Sequence, residues 1–284
     1  MELLRQLDIT ELIKQALAED VGQGDITTAA TVPAGRHGRA RITVKEPDGI
    51  IFCGGLIIEQ TFAQAGANPV INSLAAEGAR LHQGVVAADI AGNLAGLLRG
   101  ERVALNFAQL MSGIATITHR YVEAVKGTRA KIIDTRKTHP GLRAIEKYAV
   151  RCGGGTNHRF GLDSGVLIKD NHIAAAGGIK AALEGAHRIA PHTLRIQIEC
   201  ETLEQVEEAV KYGAGAILLD NMSLDNLRRA RELVGPGIVL EASGGVTLET
   251  VRAIAETGVD LISVGALTHS ARAVDLSMRI TLNS

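Results

Sequence analysis

The sequence predicts an α/β protein in which a parallel, barrel-type domain follows a smaller α+β unit. Three observations carry this. From Arg195 onward, apolar stretches (RIQIEC 195–200, AILLD 216–220, IVLEAS 238–243, LISVG 261–265) begin 21, 22 and 23 residues apart with amphipathic stretches between them. Strands and helices alternating at that spacing require right-handed crossovers and a parallel sheet. Asp134, Lys169, Glu199, Asp220, Glu241 and Ser263 each fall at or near the C-terminal end of such a stretch. Ends of parallel strands converge on one mouth in a barrel, whereas the crevice of an open sheet gathers only a few of them. Residues 1–100 lack this rhythm altogether.

Taken in order, Ile9–Glu19 reads as a short amphipathic helix with Asp8 or Thr10 as its cap. Arg39–Lys45 alternates apolar and polar residues, a turn at Glu46–Asp48 leads into Gly49–Gly54, and Leu56–Ala65 reads as a helix. Pro69–Leu74 and Gly84–Ile90 are strand-like, giving a sheet with one covered face. A long helix is expected from about Glu101 to Lys126. Its apolar stripe (Val103, Phe107, Leu110, Ile114, Ile117, Tyr121, Val125) suits it to bridging two domains. KIIDT (131–135) and GVLIKD (165–170) add two strands to the later series, with a helix opened by Pro140 between them. Helices are then expected at Leu203–Tyr212, Ser223–Val234 and Leu248–Thr257.

Composition narrows the function. The 284 residues are 46% hydrophobic but only 2% aromatic, without tryptophan, so the core is aliphatic and platforms for stacking nucleic-acid bases are nearly excluded. No apolar run approaches a membrane span and Met1–Arg5 does not open a signal peptide, so a cytoplasmic protein is expected. Cys53, Cys152 and Cys200 stand at unrelated spacings, which fits a reducing compartment better than a disulfide frame or a zinc site. The net charge of −1 hides an asymmetry: residues 99–172 hold 13 Lys/Arg against six acids, a net +7, and the rest of the chain carries −8. No recognition motif for nucleic acid accompanies these cations, so they point to a focused pocket for a small, highly charged anion.

Individual positions sharpen that reading. Arg102 is expected at the start of the long helix, where a cation opposes the macrodipole unless Glu101 or a bound anion offsets it. Arg136 and Lys137 follow a strand directly and repel one another, whereas Arg143 and Lys147 read as a solvated helix face. In RCGGGTNHRFGLD (151–163) a glycine turn delivers His158 and Arg159 beside the mouth, and a guanidinium grips a carboxylate through two parallel bonds. Lys169 ends its strand as either a Schiff-base nucleophile or an anion clamp. Glu199 and Asp220 end successive strands, positions that serve Mg²⁺, ribose hydroxyls or a salt bridge to the clamps. Ser243-Gly244-Gly245 and Gly265-Ala266, on the last two strands, offer backbone N–H groups of the kind that cradle phosphate in many barrels. Together the inventory suits glycosyl transfer from a phosphorylated sugar pyrophosphate to an acid-bearing ring.

At these residues the chain resembles the quinolinate phosphoribosyltransferase family of NAD synthesis. The resemblance rests on GERVALNFAQLMSGIAT (100–116), DTRKTHPGLRAIEKYAVRCGGGTNHRFGL (134–162), LIKDNHI (167–173), IEC (198–200), LLDN (218–221), EASGG (241–245) and SVGALTHS (263–270), with EDVGQGDITT (19–28) fitting as well. One departure is His139, where Thr or Leu is expected; it stands between the clamp and Pro140 and bears on substrate affinity.

The resemblance implies an N-terminal α/β open sandwich (1–108, joined by the tail 270–284) and an incomplete (β/α) barrel (109–269). It implies an obligate homodimer, or a higher oligomer built from it, in which Arg102 is donated across the interface. It assigns the carboxylates of quinolinate to Arg102, Arg136, His158, Arg159 and Lys169, and the pyrophosphate side of 5-phosphoribosyl 1-pyrophosphate to Lys137 and Lys169, with Thr135 in the same binding segment. Glu199 and Asp220 would hold the ribose hydroxyls and Mg²⁺, directly or through water. Ser243 to Gly245 and Val264 to Ala266 would take the 5-phosphate. Lys137, Lys169, Glu199 and Asp220 are the expected catalytic set. A molybdenum-transport-associated paralogue of the same fold, a Lys169 Schiff-base aldolase and a non-catalytic metabolite sensor are the competing readings.

Overall fold

The computed structural model describes residues 9–282. It divides into two compact units. The first runs to His119 and takes in Thr138–Gly154 and the stretch from Thr268; the second is Arg120–Lys137 and Gly155–Leu267.

In the first unit, helix Thr10–Val21 leads to a one-and-a-half-turn helix, Ile26–Thr31, whose Asp25 cap accepts the Thr28 N–H at 2.9 Å. The strands β1 (His37–Val44), β2 (Ile50–Ile51), β3 (Val70–Leu74), β4 (Arg80–Leu81) and β5 (Val86–Asn93) follow, with helix Gly55–Gln64 between β2 and β3. Alternate residues of β1 (Ala40, Ile42, Val44) are fully buried, as a one-sided antiparallel sheet requires. They pack with Phe52, Ile58, Phe62, Ile90 and Leu97 in a core that is aliphatic apart from its two phenylalanines. Helix Leu94–Ala124 leaves this unit and ends in the second.

The second unit holds β6 (Lys131–Ile133), β7 (Val166–Ile168), β8 (Ile196–Cys200), β9 (Ala216–Asp220), β10 (Val239–Ser243) and β11 (Leu261–Ser263). They form one parallel sheet in the order β6-β11-β10-β9-β8-β7, an incomplete α/β barrel. Two of the intervening helices begin at clear side-chain caps. Thr202 forms a capping box with Gln205, and Ser223 accepts the Asn226 N–H. The chain then returns to the first unit as β12 (Leu276–Leu282), antiparallel to β1, so the first sheet runs β12-β1-β5-β3. Glu46, almost fully buried, anchors that return by pairing with Arg272 and accepting the Asp275 N–H.

Several expectations need correction. The long helix starts at Leu94, so Arg102 is an exposed residue of its third turn and the macrodipole argument for it falls. Gly96 and Gly100 do not break the helix; a Cβ on Gly96 would lie 2.2 Å from the Ala67 nitrogen and one on Gly100 2.9 Å from the Phe62 ring. They are close-approach glycines rather than stops. The helix after Pro140 begins only at Arg143, and Lys147 on it is 2% exposed rather than solvated. The first helix has Ile9 at its cap position, without a side-chain cap, so Thr10 does not cap it; Asp8 lies outside the described residues. Leu248–Thr257 is helical only over Val251–Ala255, because Thr247–Thr250 closes a turn of its own.

Candidate active site

The C-terminal ends of the six parallel strands supply the walls of a cavity of about 380 Å³. Thr135, Arg136 and Lys137 enter it from the segment after β6, and Lys169 from the residue after β7. Glu199 comes from β8, Asp220 from the last position of β9, Glu241 and Ser243 from β10, and Ser263 from the end of β11. In-register pairing fixes this convergence: Ser243 lies beside Asp220, and Ala242 beside Ile262.

His158 and Arg159 come from the loop before β7 and are set by Asp134. The fully buried Asp134 carboxylate accepts the His158 N–H at 2.8 Å and the Asn157 side-chain amide at 2.6 Å, pinning the loop against β6. The Arg159 N–H donates to His158 Nδ1 at 2.7 Å, and His158 Nε2 stands 3.5 Å from Glu241 Oε2. Arg159 Nη1 donates to the Gly165 carbonyl at 2.8 Å. Burial, and after it the positive charge of Arg136, holds Arg159 below its ordinary pKa. Two guanidiniums close enough to oppose each other's charge make a site that an anion relieves.

Lys169 Nζ meets Glu199 Oε2 at 3.0 Å, and Asn221 Nδ2 donates to Asp220 Oδ2 at 2.8 Å. The two acids thus face the cavity already oriented. Gln197 Nε2 donates to Glu241 Oε2 at 2.7 Å, and Glu241 is 1% exposed. Glu241, Gln197 and His158 also line a second cavity of about 350 Å³ that continues among the N-terminal strand positions Val166, Ala216, Val239 and Leu261, inside the barrel.

Of the sequence-expected residues, Thr135, Arg136, Lys137, His158, Arg159, Lys169, Glu199, Asp220 and Ser243 therefore share one cavity wall. Gly244, Gly245, Val264, Gly265 and Ala266 continue from β10 and β11 without lining it. Val264 is 2% exposed, and its N–H donates to the Ile133 carbonyl at 3.0 Å. Gly244 has a local reason: at φ 95°, a Cβ there would stand 2.1 Å from the Asn221 side chain. Arg102 lies in the other unit. Asp134 and Glu241 were expected at the mouth as strand-end acids but without a role, and Gln197 was not singled out. His139 is taken up locally, with Nδ1 2.6 Å from the buried Glu146 carboxylate.

Fold and site together define an incomplete-barrel α/β enzyme with a charged pocket where its parallel strands end. The family model of the C-terminal domain of quinolinate phosphoribosyl transferase matches residues 114–279, and that of the N-terminal domain matches residues 25–112. The chain is 44% identical over 281 residues to the probable nicotinate-nucleotide pyrophosphorylase (carboxylating) of Bacillus subtilis, covering 99% of this chain and 96% of that protein. It is 43% identical over 274 residues to the nicotinate-nucleotide pyrophosphorylase (carboxylating) of Mycobacterium leprae, covering 94% and 95%. The solved structure of NadC from Streptococcus pyogenes matches with a TM-score of 0.93 at 38% identity, over 97% of each chain. The chain belongs to the quinolinate phosphoribosyltransferase family, a family of pentosyltransferases. Among the described residues, no helix is long and apolar enough to cross a membrane.

Proposed function

We propose that this enzyme transfers the phosphoribosyl group of 5-phosphoribosyl 1-pyrophosphate to the ring nitrogen of quinolinate and releases pyrophosphate, CO₂ and nicotinate mononucleotide, as a cytoplasmic step of NAD synthesis. The observation that carries the reading is the division of the cavity wall. Arg136, Lys137, His158, Arg159 and Lys169 supply cationic and donor groups for carboxylates and pyrophosphate, and Glu199 and Asp220 supply acceptors for a diol. Arg136 and Arg159 grip the two carboxylates of quinolinate, and His158 adds a donor. Lys137 and Lys169 face the leaving pyrophosphate. Ser243 and the backbone turns 243–245 and 264–266 take the 5-phosphate. Arg102 completes the quinolinate clamp from the second chain of a homodimer.

The chemistry follows from charge placement. The ring nitrogen attacks C1 of the ribosyl group as the bond to pyrophosphate breaks through an oxocarbenium-like state. Fixed lysines and arginines at the departing oxygens stabilise the charge that develops, a term commonly worth several kcal/mol. The nitrogen is then quaternary and positive, so the C2 carboxylate leaves as CO₂ and the electron pair left on C2 takes up a proton. Glu199 and Asp220 hold the ribose hydroxyls so that C1 stays in line with the nitrogen.

Glu199, paired with Lys169, and Asp220 bring two carboxylates to one cavity wall, the donors that fit Mg²⁺, an ion that prefers one or two protein carboxylates together with substrate phosphates. When bound there, Mg²⁺ offsets the negative charge of pyrophosphate. Lys169, half-exposed and paired with Glu199, lacks the apolar surroundings that a Schiff-base lysine needs, which disfavours the aldolase reading. The deciding experiment mixes the protein with Mg²⁺, quinolinate and phosphoribosyl pyrophosphate and follows pyrophosphate and CO₂. Equimolar release of both is expected. Binding of both compounds without release would turn the reading toward a sensor, and borohydride trapping of an adduct on Lys169 toward an aldolase.

A further inference from the structure

The first unit contains a cluster that the proposed reaction does not use. Cys53 follows β2, Glu77 lies in the turn before β4, and Cys152 ends helix Arg143–Cys152. Although distant in sequence, their sulfur and carboxylate atoms all lie within 4.8 Å of one another. Among the described residues no other three His, Cys, Asp or Glu side chains converge this closely.

Each member is held by its own surroundings. The Cys53 backbone exchanges two hydrogen bonds of 3.0 Å with the buried Ser112 hydroxyl. Glu77 accepts the Gly54 and Gly55 N–H groups at the start of helix Gly55–Gln64, which fixes its carboxylate plane. The Cys152 thiol donates to Glu77 Oε2 at 3.7 Å. Gly153, directly after it, is locked in place, since a Cβ there would meet the Ala115 carbonyl oxygen at 2.4 Å.

Helix capping alone accounts for Glu77 but not for two thiols beside it, and a fourth group points the same way. Tyr148, one helical turn before Cys152, is 4% exposed, and among the described residues its hydroxyl has no hydrogen-bond partner. Cys152, Glu77 and Cys53 all act on this hydroxyl, which therefore lies against the cluster. A buried hydroxyl without a partner is costly, and a ligand in the cluster would satisfy it.

We propose that Cys53, Glu77 and Cys152 form a structural site for a thiophilic divalent cation, Zn²⁺ above all, with the Tyr148 hydroxyl or a water that it binds closing the fourth position. The geometry suits the ion. Bonds of 2.3 Å to sulfur and 2.0 Å to oxygen at tetrahedral angles separate a sulfur from an oxygen by about 3.5 Å and two sulfurs by about 3.8 Å. The donor set excludes Mg²⁺, which takes oxygen ligands, so the site is distinct from the carboxylates of the proposed catalytic cavity. Both thiols lose their protons to solvent on binding, and two thiolates with one carboxylate then face the dication.

The test uses the full chain, stripped of metal with a chelator, kept reduced with a phosphine, and titrated with Co²⁺ as a coloured stand-in for Zn²⁺. A thiolate-to-cobalt charge-transfer band saturating at one ion per chain is expected, bleached by Zn²⁺ but not by Mg²⁺. Cys152→Ser should abolish the band. Glu77→Gln keeps an acceptor for the Gly54 and Gly55 N–H groups and so preserves the helix cap, and it should weaken binding while leaving the circular dichroism spectrum unchanged. The proposal is overturned if the wild-type chain gives no such band, if the band survives Cys152→Ser, or if air oxidation links Cys53 to Cys152 equally fast with and without Zn²⁺. Should Cys53→Ser fail to fold, the other two variants still decide. None of these readouts depends on turnover.

Discussion

At the level of single residues, the cavity is governed by how like charges are brought together. Arg159 is held by the Gly165 carbonyl through one guanidinium nitrogen, whereas its backbone N–H, which a lysine at this position keeps, fixes the His158 ring. Arg159→Lys keeps the charge but loses the planar fork that meets a carboxylate bidentately. Its expected effect is a rise in the quinolinate KM of at least about tenfold, corresponding to about 1.4 kcal/mol, with a smaller change in kcat. Steady-state kinetics at saturating phosphoribosyl pyrophosphate reads that split. An unchanged quinolinate KM would remove Arg159 from the carboxylate clamp. The neighbouring Glu241 shows why local chemistry alone does not reveal a site. Its environment, with Gln197 at 2.7 Å and His158 at 3.5 Å, exists only once three separate segments meet.

At the level of elements, the chain was most legible where strand and helix signals are short, capped and repeated. The four strands from Ile196 to Ser263 lie within one or two residues of where the apolar runs put them, and Thr202 and Ser223 start the helices between them through bonds to their own near neighbours. Elements decided by distant partners were not legible. The start of the long helix was hidden by glycines whose reason is the backbone near Ala67 and the Phe62 ring, and Lys147 is buried by tertiary packing that no charge pattern announces. The β12 strand has mixed polarity and gains its place from pairing with β1. Of the site, the strand-end charges were readable from periodicity, whereas the Asp134 brace was not recognised, since its partners lie on a loop more than twenty residues away.

Element pairing also sets a pH dependence. On β5, Asp89 sits against Arg39 and Arg41 of β1, with Arg41 Nε at 2.9 Å, and accepts Asn72 Nδ2 of β3 at 3.1 Å. Burial raises its pKa, but the hydrogen bonds from Arg39, Arg41 and Asn72 together outweigh that and hold it below the ordinary carboxylate value. A carboxylate depressed in the folded state contributes stability above its unfolded pKa and loses it as pH falls through the folded value. Asp89→Asn should therefore lower stability at neutral pH by on the order of 1 kcal/mol. Denaturant melts of both proteins should draw together as pH drops below about 4, the unfolded value of an aspartate. A constant difference across that range would show that Asp89 acts through packing and not through charge.

At the level of the whole molecule, the question is where Arg102 acts. It is an exposed cation on a helix of the first unit, while Arg136, Arg159 and Lys169, the residues proposed to hold the substrate, belong to the second. If a homodimer shares its sites, with Arg102 of each chain serving the cavity of the other, the two defects are complementary. A chain carrying Arg102→Ala and a chain carrying Arg159→Ala are each expected to be nearly inactive alone. When the two are unfolded together and refolded, or exchanged at low concentration, random pairing makes half of the dimers mixed. In each mixed dimer one cavity keeps its own Arg159 and receives an intact Arg102, and the other has neither. Activity should then return to about a quarter of wild type, the share set by two-fold symmetry and random assortment. Recovery requires chain exchange, so mixing without refolding at high concentration should restore little. If refolded mixtures stay as inactive as the parents while light scattering shows mixed dimers, Arg102 acts within its own chain or not at all. If the chain sediments as a monomer with full activity, the shared-site arrangement is excluded outright.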